Sequence, residues 1–319
     1  MNRHGWVPAL FTWQGNEAFV DWCWLGNRRF LQPFFDDTLE NARQIPFNAL
    51  FMHRTPIAEL GARHATSPGL PPAGFIFHMS RCGSTLISQM PAALPETVVI
   101  SEAAPIDLLA RTTRVPEPVR AEWLRWTISA LSQPRSGTET SCFIKFDSPT
   151  VMALAFIRRA FPTVPWIFVF RDPEQVLVSQ MRKTAGAMTP GVITDLSVID
   201  VPMQEILSMP AEQYAARVIG RFCQHAAQST DEAGLLVNYS QLPDFVWTGI
   251  AKHFNLDLAP AAIARMEQAS LRDAKRPRRT FEESRRTGHA DIPDSIRKAA
   301  TQWILPHYNE LERIRLRRG

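Results

Sequence analysis

Five short apolar runs constrain this chain more than any other feature: GFIFHM (74–79), TVVIS (97–101), SCFIKF (141–146), PWIFVF (165–170) and LLVNY (235–239). Each is apolar at consecutive positions, the pattern of a strand buried on both faces. Between them lie stretches of helical pattern at 84–92, 116–132, 149–161 and 173–183. Ser148-Pro149 and Asp172-Pro173 each place a capping residue before a proline at the first helical position. Strands separated by helices predict an α/β fold with a mainly parallel central sheet covered by helices on both faces. Ligands of such sheets sit beyond the carboxyl ends of the strands, so candidate functional residues should lie just after a run.

The chain has 319 residues, 45% hydrophobic and 21% charged. That excludes wholesale disorder and allows one large α/β domain or two ordinary ones. Residues 1–70 are dense in Trp and Phe and lead into SPGLPPAG (67–74), a linker or sharp entry. The expected organisation is an aromatic-rich N-terminal extension, 1–70, packing on a domain that spans 71–319. The formal charge is only +4, but Lys and Arg cluster in RDAKRPRRTFEESRR (272–286) and ERIRLRRG (312–319). A local basic patch suits an anionic small ligand, an acidic substrate or nucleic acid. Cys23, Cys82, Cys142 and Cys223 form no CxxC pair, which predicts a reducing, cytoplasmic setting without disulfide or zinc sites. Pro8 and Gln14 interrupt the N-terminal apolar stretch, against a signal peptide, and no run approaches the ~18 apolar residues of a membrane span.

In GFIFHMSRCGSTLISQM (74–90) the first run enters a glycine turn and then a helix. Against the nucleoside-triphosphate loop GxxxxGK[ST], Gly83 and Thr85 match, His78 replaces the first glycine and Ser84 replaces the lysine. A triphosphate with its magnesium is poorly served by that substitution. What remains is a set of backbone N–H groups, a helix N-terminus, the Ser84 and Thr85 hydroxyls, and Arg81 as the cation. This suits a phosphate-anhydride donor of lower charge, handled without a metal.

The run SRCGSTL (80–86) resembles the phosphosulfate-binding loop of sulfotransferases, which use 3′-phosphoadenosine 5′-phosphosulfate as donor and release adenosine 3′,5′-bisphosphate. The resemblance implies a three-layer P-loop α/β fold with donor contacts from Arg81, Cys82, Gly83, Ser84 and Thr85. FVFRDPEQVLVSQMRK (168–183) is similar to a second family segment, implying that Arg171 and Ser179 bind the 3′-phosphate, with Lys183 one turn beyond adding charge. LLVNYSQLPDFVWTGIAKHFNLDL (235–258) is similar to a third, which implies that Tyr239 lines the adenine or phosphate region. Ser240 departs there from the family's acidic residue. The basic segment stands where the family often has a loop closing over the donor, implying Lys275 and Arg276 as phosphate contacts, with Arg278 and Arg279 close by. The resemblance covers roughly 74–310 and leaves 1–70 outside.

Sulfuryl transfer needs cations at the transferred group and a base for the acceptor. Arg81 and Lys145, the latter at the end of the third run, are the expected cations. Glu102, just after the second run, looks like the glutamate base of the tyrosylprotein branch of the family, with burial expected to raise its pKa. Asp147 is the second candidate, with a helix-start role favoured. His78 is expected to pack or to support the loop. The implied acceptor is a small molecule, glycan or peptide, with no nucleic acid partner, shaped by residues 1–70 and 184–213. Two competing readings are an ATP-dependent small-molecule kinase of the P-loop class and a noncatalytic nucleotide-binding interaction module.

Overall fold

In the computed structural model, residues 5–191, 198–199, 201–273, 276–280 and 292–318 are described. The aromatic N-terminal region folds an antiparallel sheet of β1 (Trp6–Gln14), β2 (Glu17–Trp24) and β3 (His53–Pro56), in which β2 largely alternates buried and open side chains and β1 buries Val7, Pro8 and Ala9 in a row where its register shifts. Gln14 pairs with Glu17 across a two-residue turn in which Gly15 takes φ +59°, a conformation that glycine adopts without steric cost. Helices α1 (Phe35–Arg43) and α2 (Pro46–Leu50) lie between β2 and β3, and α3 (Ala58–Thr66) follows. Val7, Phe11, Val20 and Trp22 are buried in the same apolar core as the remaining strands. Arg29 donates to the carbonyls of Ala92, Leu94 and Thr97, and Trp13 lies 6.0 Å from Trp123, ring to ring.

The five apolar runs form one five-stranded sheet: β4 (Pro72–His78), β5 (Thr97–Ser101), β6 (Ser141–Lys145), β7 (Trp166–Phe170) and β8 (Gly234–Asn238). Its order is β5-β6-β4-β7-β8 and every pairing is parallel. Connections carry α4 (Ser84–Ala92), α5 (Ala104–Arg111), α6 (Glu117–Leu131), α7 (Leu154–Ala160) and α8 (Pro173–Arg182), with α9 (Met203–Ser208) and α10 (Ala211–Gln228) before β8. Phe75, Phe77, Phe143, Phe146, Trp166 and Phe168 are fully buried between the layers, with Phe77 stacked on Phe146 at 4.6 Å. Each such side chain contributes up to about 3 kcal/mol by leaving water.

Two local expectations are corrected. The helix expected over 149–161 begins as a tight 3₁₀ segment, Ser148–Ala153, before α7, and its cap is Asp147, which accepts from the Ser148 N–H at 2.7 Å. Ser148 is itself the first helical residue because proline at the next position already fixes the turn. The helix expected to reach residue 183 ends at Arg182; Lys183 is extended, at φ −151° and ψ 95°.

Strand order reverses direction at β4, whose neighbours are β6 and β7. That switch point leaves a crevice at the carboxyl ends of the strands, where ligands of open α/β sheets bind. Among the described residues no helix is long and apolar enough to cross a membrane, and the four cysteines are buried and unpaired.

Candidate active site

The loop after β4 is wound by left-handed residues, Ser80 at φ +78°, Arg81 at +51° and Gly83 at +88°. Non-glycine residues in that region cost about 1–3 kcal/mol each and persist only where neighbours fix them. Ser80 is fixed twice: its N–H donates to His78 Nδ1 at 3.1 Å, and its hydroxyl accepts from Gln180 Nε2 at 2.9 Å. Cys82 Sγ donates to the Val169 carbonyl at 3.1 Å, and burial pushes its thiol up to about 11, so it serves as a small packed residue rather than a nucleophile. A Cβ on Gly83 would meet the Tyr239 ring at 2.8 Å, so both backbone conformation and space require glycine there. Ser84 and Thr85 then open α4, whose first N–H groups have no intrahelical partner. The Arg81 guanidinium leans over the end of α8, donating to the Lys183 carbonyl and lying 3.5 Å from Gln180 Oε1.

Beside this loop, Arg171 follows β7 and donates its N–H to Met79 Sδ at 3.1 Å. Its guanidinium is held by Gln175 Oε1 at 2.8 and 3.0 Å and lies 4.1 Å from the centre of the Tyr239 ring. Gly83, Arg171 and Tyr239 therefore form one cluster at the ends of β4, β7 and β8. Asp172 caps α8 by accepting from the Gln175 N–H at 3.0 Å, and Ser179 is half-buried on that helix. Lys183 is the exposed residue that caps the helix, its N–H donating to the Ser179 carbonyl at 3.3 Å.

On the other side of the loop, Lys145 ends β6 with its side chain fully buried and pairs with Glu102 Oε1. Glu102 follows β5 in a left-handed conformation, φ +54°, with its N–H donating to the Lys145 carbonyl at 2.7 Å. His78 Nε2 lies 3.4 Å from the same carboxylate oxygen. Since Nδ1 accepts from Ser80, the ring proton of neutral His78 sits on Nε2 and faces Glu102. The Phe34 ring, from the connection between β2 and α1, lies 5.2 Å from Lys145 Nζ.

Burial pushes the Glu102 carboxyl up, but the Lys145 charge and the His78 ring close beside it outweigh it and hold it well below the usual carboxylate range. This is opposite to the expected rise toward neutrality, because the nearest cation was paired with the carboxylate rather than reserved for the donor. Burial pushes Asp147 up, aided by the Glu102 charge. Asp107, beneath them, accepts from the Asp147 N–H at 3.1 Å and the Thr150 hydroxyl at 2.7 Å, and is pushed up to about 7 by burial and the charge of Asp147. Among the described residues no cluster of His, Cys, Asp or Glu could hold a metal ion.

The carboxyl edge of the sheet thus carries Glu102, Lys145, the His78 loop, Arg171 and Tyr239 in strand order, one from each strand end. Lys275 lies outside the described residues, and Arg276 is described only as the start of β10 (Arg276–Thr280), which pairs with β9 (Arg272–Asp273). Sequence reasoning set His78 beside the loop as a packing or supporting residue, in keeping with its bond to the Ser80 N–H, and did not place Gln180, Asp107 or Phe34 in the site. Only His78 carried a signal, a polar residue ending an otherwise apolar strand.

No family model matches the sequence, and no curated protein matches it. Among solved structures, the chain is similar to the sulfotransferase domain of a Synechococcus olefin synthase, at 14% identity and TM-score 0.44 over 78% of this chain and 96% of that one. It is also similar to a sulfotransferase from Alicyclobacillus acidocaldarius, at 13% identity and TM-score 0.45 over 77% and 96%, and to one from Mycobacterium avium, at 14% and 0.43 over 81% and 84%.

Proposed function

We propose that this chain is a sulfotransferase that moves a sulfuryl group from 3′-phosphoadenosine 5′-phosphosulfate to a hydroxyl or amine of an acceptor. The observation that carries the reading is the Lys145–Glu102 pair beside a phosphate loop that has Arg81 and no P-loop lysine. A second cationic cluster, Arg171 on Tyr239, lies two strand spacings from β6, roughly 10 Å away at the usual ~4.8 Å per strand. Two separated cationic regions suit a donor that is anionic at both ends. Arg171 and Ser179 take the 3′-phosphate, with Tyr239 against the nucleotide; the loop from Arg81 to Thr85 and the start of α4 take the 5′-phosphate. Lys183, Lys275 and Arg276 add charge around the nucleotide.

In the reaction the bond between sulfur and the bridging phosphate oxygen breaks, and the electron pair leaves with adenosine 3′,5′-bisphosphate. The acceptor oxygen or nitrogen forms the new bond to sulfur and gives its proton to Glu102. Lys145 must turn from Glu102 to the bridging oxygen, and that movement frees the carboxylate from the charge that holds it acidic. Residues 1–70, through Phe34, wall the acceptor side of Lys145.

Calorimetric titration of adenosine 3′,5′-bisphosphate and of ATP with magnesium tests the donor. The bisphosphate is expected to bind more tightly, and a preference for ATP would point to a kinase. Sulfate transfer from the labelled donor to a panel of phenols, sugars and amines tests turnover. Glu102→Gln is expected to abolish transfer while leaving bisphosphate affinity within about threefold, and full activity in that variant would place the base elsewhere.

A further inference from the structure

We propose that His78 is a positioning residue that couples the phosphate loop to the carboxylate of Glu102, so that loop and base are held in one geometry by the two nitrogens of a single ring. The inference rests on the reading of Glu102 as the base. His78 ends the central strand and is only 5% exposed. Its Nδ1 accepts from the N–H of Ser80, the first of the left-handed residues in the loop, at 3.1 Å. Its Nε2 is buried and makes no aligned hydrogen bond, and it lies 3.4 Å from Glu102 Oε1, the oxygen that Lys145 also contacts. An imidazole is rigid and its nitrogens are distinct, so a shift of the loop must turn the ring and change the contact at Glu102. Burial favours the neutral ring despite the carboxylate beside it, and Lys145 opposes a second positive charge. Neutral His78 therefore has one acceptor and one donor, matched to one N–H and one carboxylate.

When Lys145 swings to the donor, His78 Nε2–H is the contact that stays with Glu102. It keeps the carboxylate aimed while the loss of the ammonium makes it more basic. His78 touches neither donor nor acceptor in this scheme and acts only through Ser80 and Glu102.

The two halves of the ring are separable by substitution. In His78→Asn the side-chain amide oxygen can take the place of Nδ1 and is too short to reach Glu102. In His78→Gln the amide nitrogen can take the place of Nε2 and leaves the Ser80 N–H without its acceptor. Nuclear magnetic resonance of the full-length protein reads both ends without any ligand: hydrogen exchange at the Ser80 amide, and the titration of the Glu102 carboxyl carbon. His78→Asn is expected to keep Ser80 protection and to raise the Glu102 pKa, with Lys145, Asp147 and Asp36 of α1 unchanged as the other charged groups facing it. His78→Gln is expected to speed Ser80 exchange by about tenfold, the worth of one net hydrogen bond, and to leave the Glu102 titration near wild type. Calorimetry with adenosine 3′,5′-bisphosphate should follow the Ser80 readout, with weaker binding in His78→Gln and near wild-type binding in His78→Asn. If both variants disturb both readouts alike, or neither disturbs either, the coupling is refuted. If the wild type fails to bind the bisphosphate, the donor assignment falls, while the ligand-free readouts still decide the role of His78.

Discussion

Glu102 and Lys145 differ in exposure, and the difference decides which partner is more costly to lose. The Lys145 side chain has no accessible surface, whereas that of Glu102 keeps 20% of its own. Removing the carboxylate strands an ammonium away from water; removing the ammonium leaves a carboxylate that solvent and His78 can still satisfy. Urea unfolding at pH 7 is therefore expected to show Glu102→Gln destabilised by about 3 kcal/mol and Lys145→Met by distinctly less. Equal losses would mean that the pair is wetter than its geometry implies. The sign of the pH dependence follows from the depressed Glu102 pKa. Its stabilisation is present above the ordinary glutamate value of 4.5 and is lost as pH falls below it, so the gap between wild type and Glu102→Gln should close in acid.

At the level of loops and strands, the five apolar runs were legible because consecutive burial leaves an unmistakable pattern, and β5 spans Thr97–Ser101 as read. The expectation that candidate residues follow strand ends, joined to the family resemblance, singled out Glu102, Lys145, Arg171 and Tyr239, and in the structure each stands at the end of a strand of the parallel sheet. The N-terminal meander was less legible. Its aromatics advertise packing, but β1 buries consecutive residues where its register shifts, so no clean alternation marks the Gly15-Asn16 hairpin turn. Gln180 was illegible in kind, since its partner Ser80 lies far along the chain and no spacing encodes the pair; for His78 the place beside the loop was legible, and only its approach to Glu102 was not. The loop also makes its own prediction. Gly83→Ala forces alanine to φ +88° and drives a methyl toward the Tyr239 ring, which must leave Arg171. Thermal unfolding should register a loss of about 1–3 kcal/mol, and bisphosphate affinity should fall with it; wild-type affinity would show that Tyr239 is no part of the nucleotide site.

For the molecule as a whole, the buried carboxyl of Asp107 sets a pH dependence of stability. Its folded pKa of about 7 stands above the ordinary 3.8, so it contributes most in acid, and that contribution is lost as pH rises from about 4 through 7. Asparagine keeps an oxygen for the Asp147 N–H and the Thr150 hydroxyl without acquiring charge. Asp107→Asn is therefore expected to melt above wild type at pH 8 and close to it at pH 4, as scanning calorimetry can follow. An unchanged difference across that range would assign the pH dependence to other groups.

The placement of Phe34 over Lys145 has a consequence for how the chain reaches this state. A ring from the segment before the parallel sheet lies against a cation that ends the third strand of that sheet, and the neighbouring loop also packs on Tyr239 from beyond the fifth. Contacts so distant in sequence close late, because the entropy of the intervening loops must be overcome first. During synthesis, the aromatic segment therefore leaves the ribosome well before the surface it covers exists, and a completed crevice marks a chain that has finished folding.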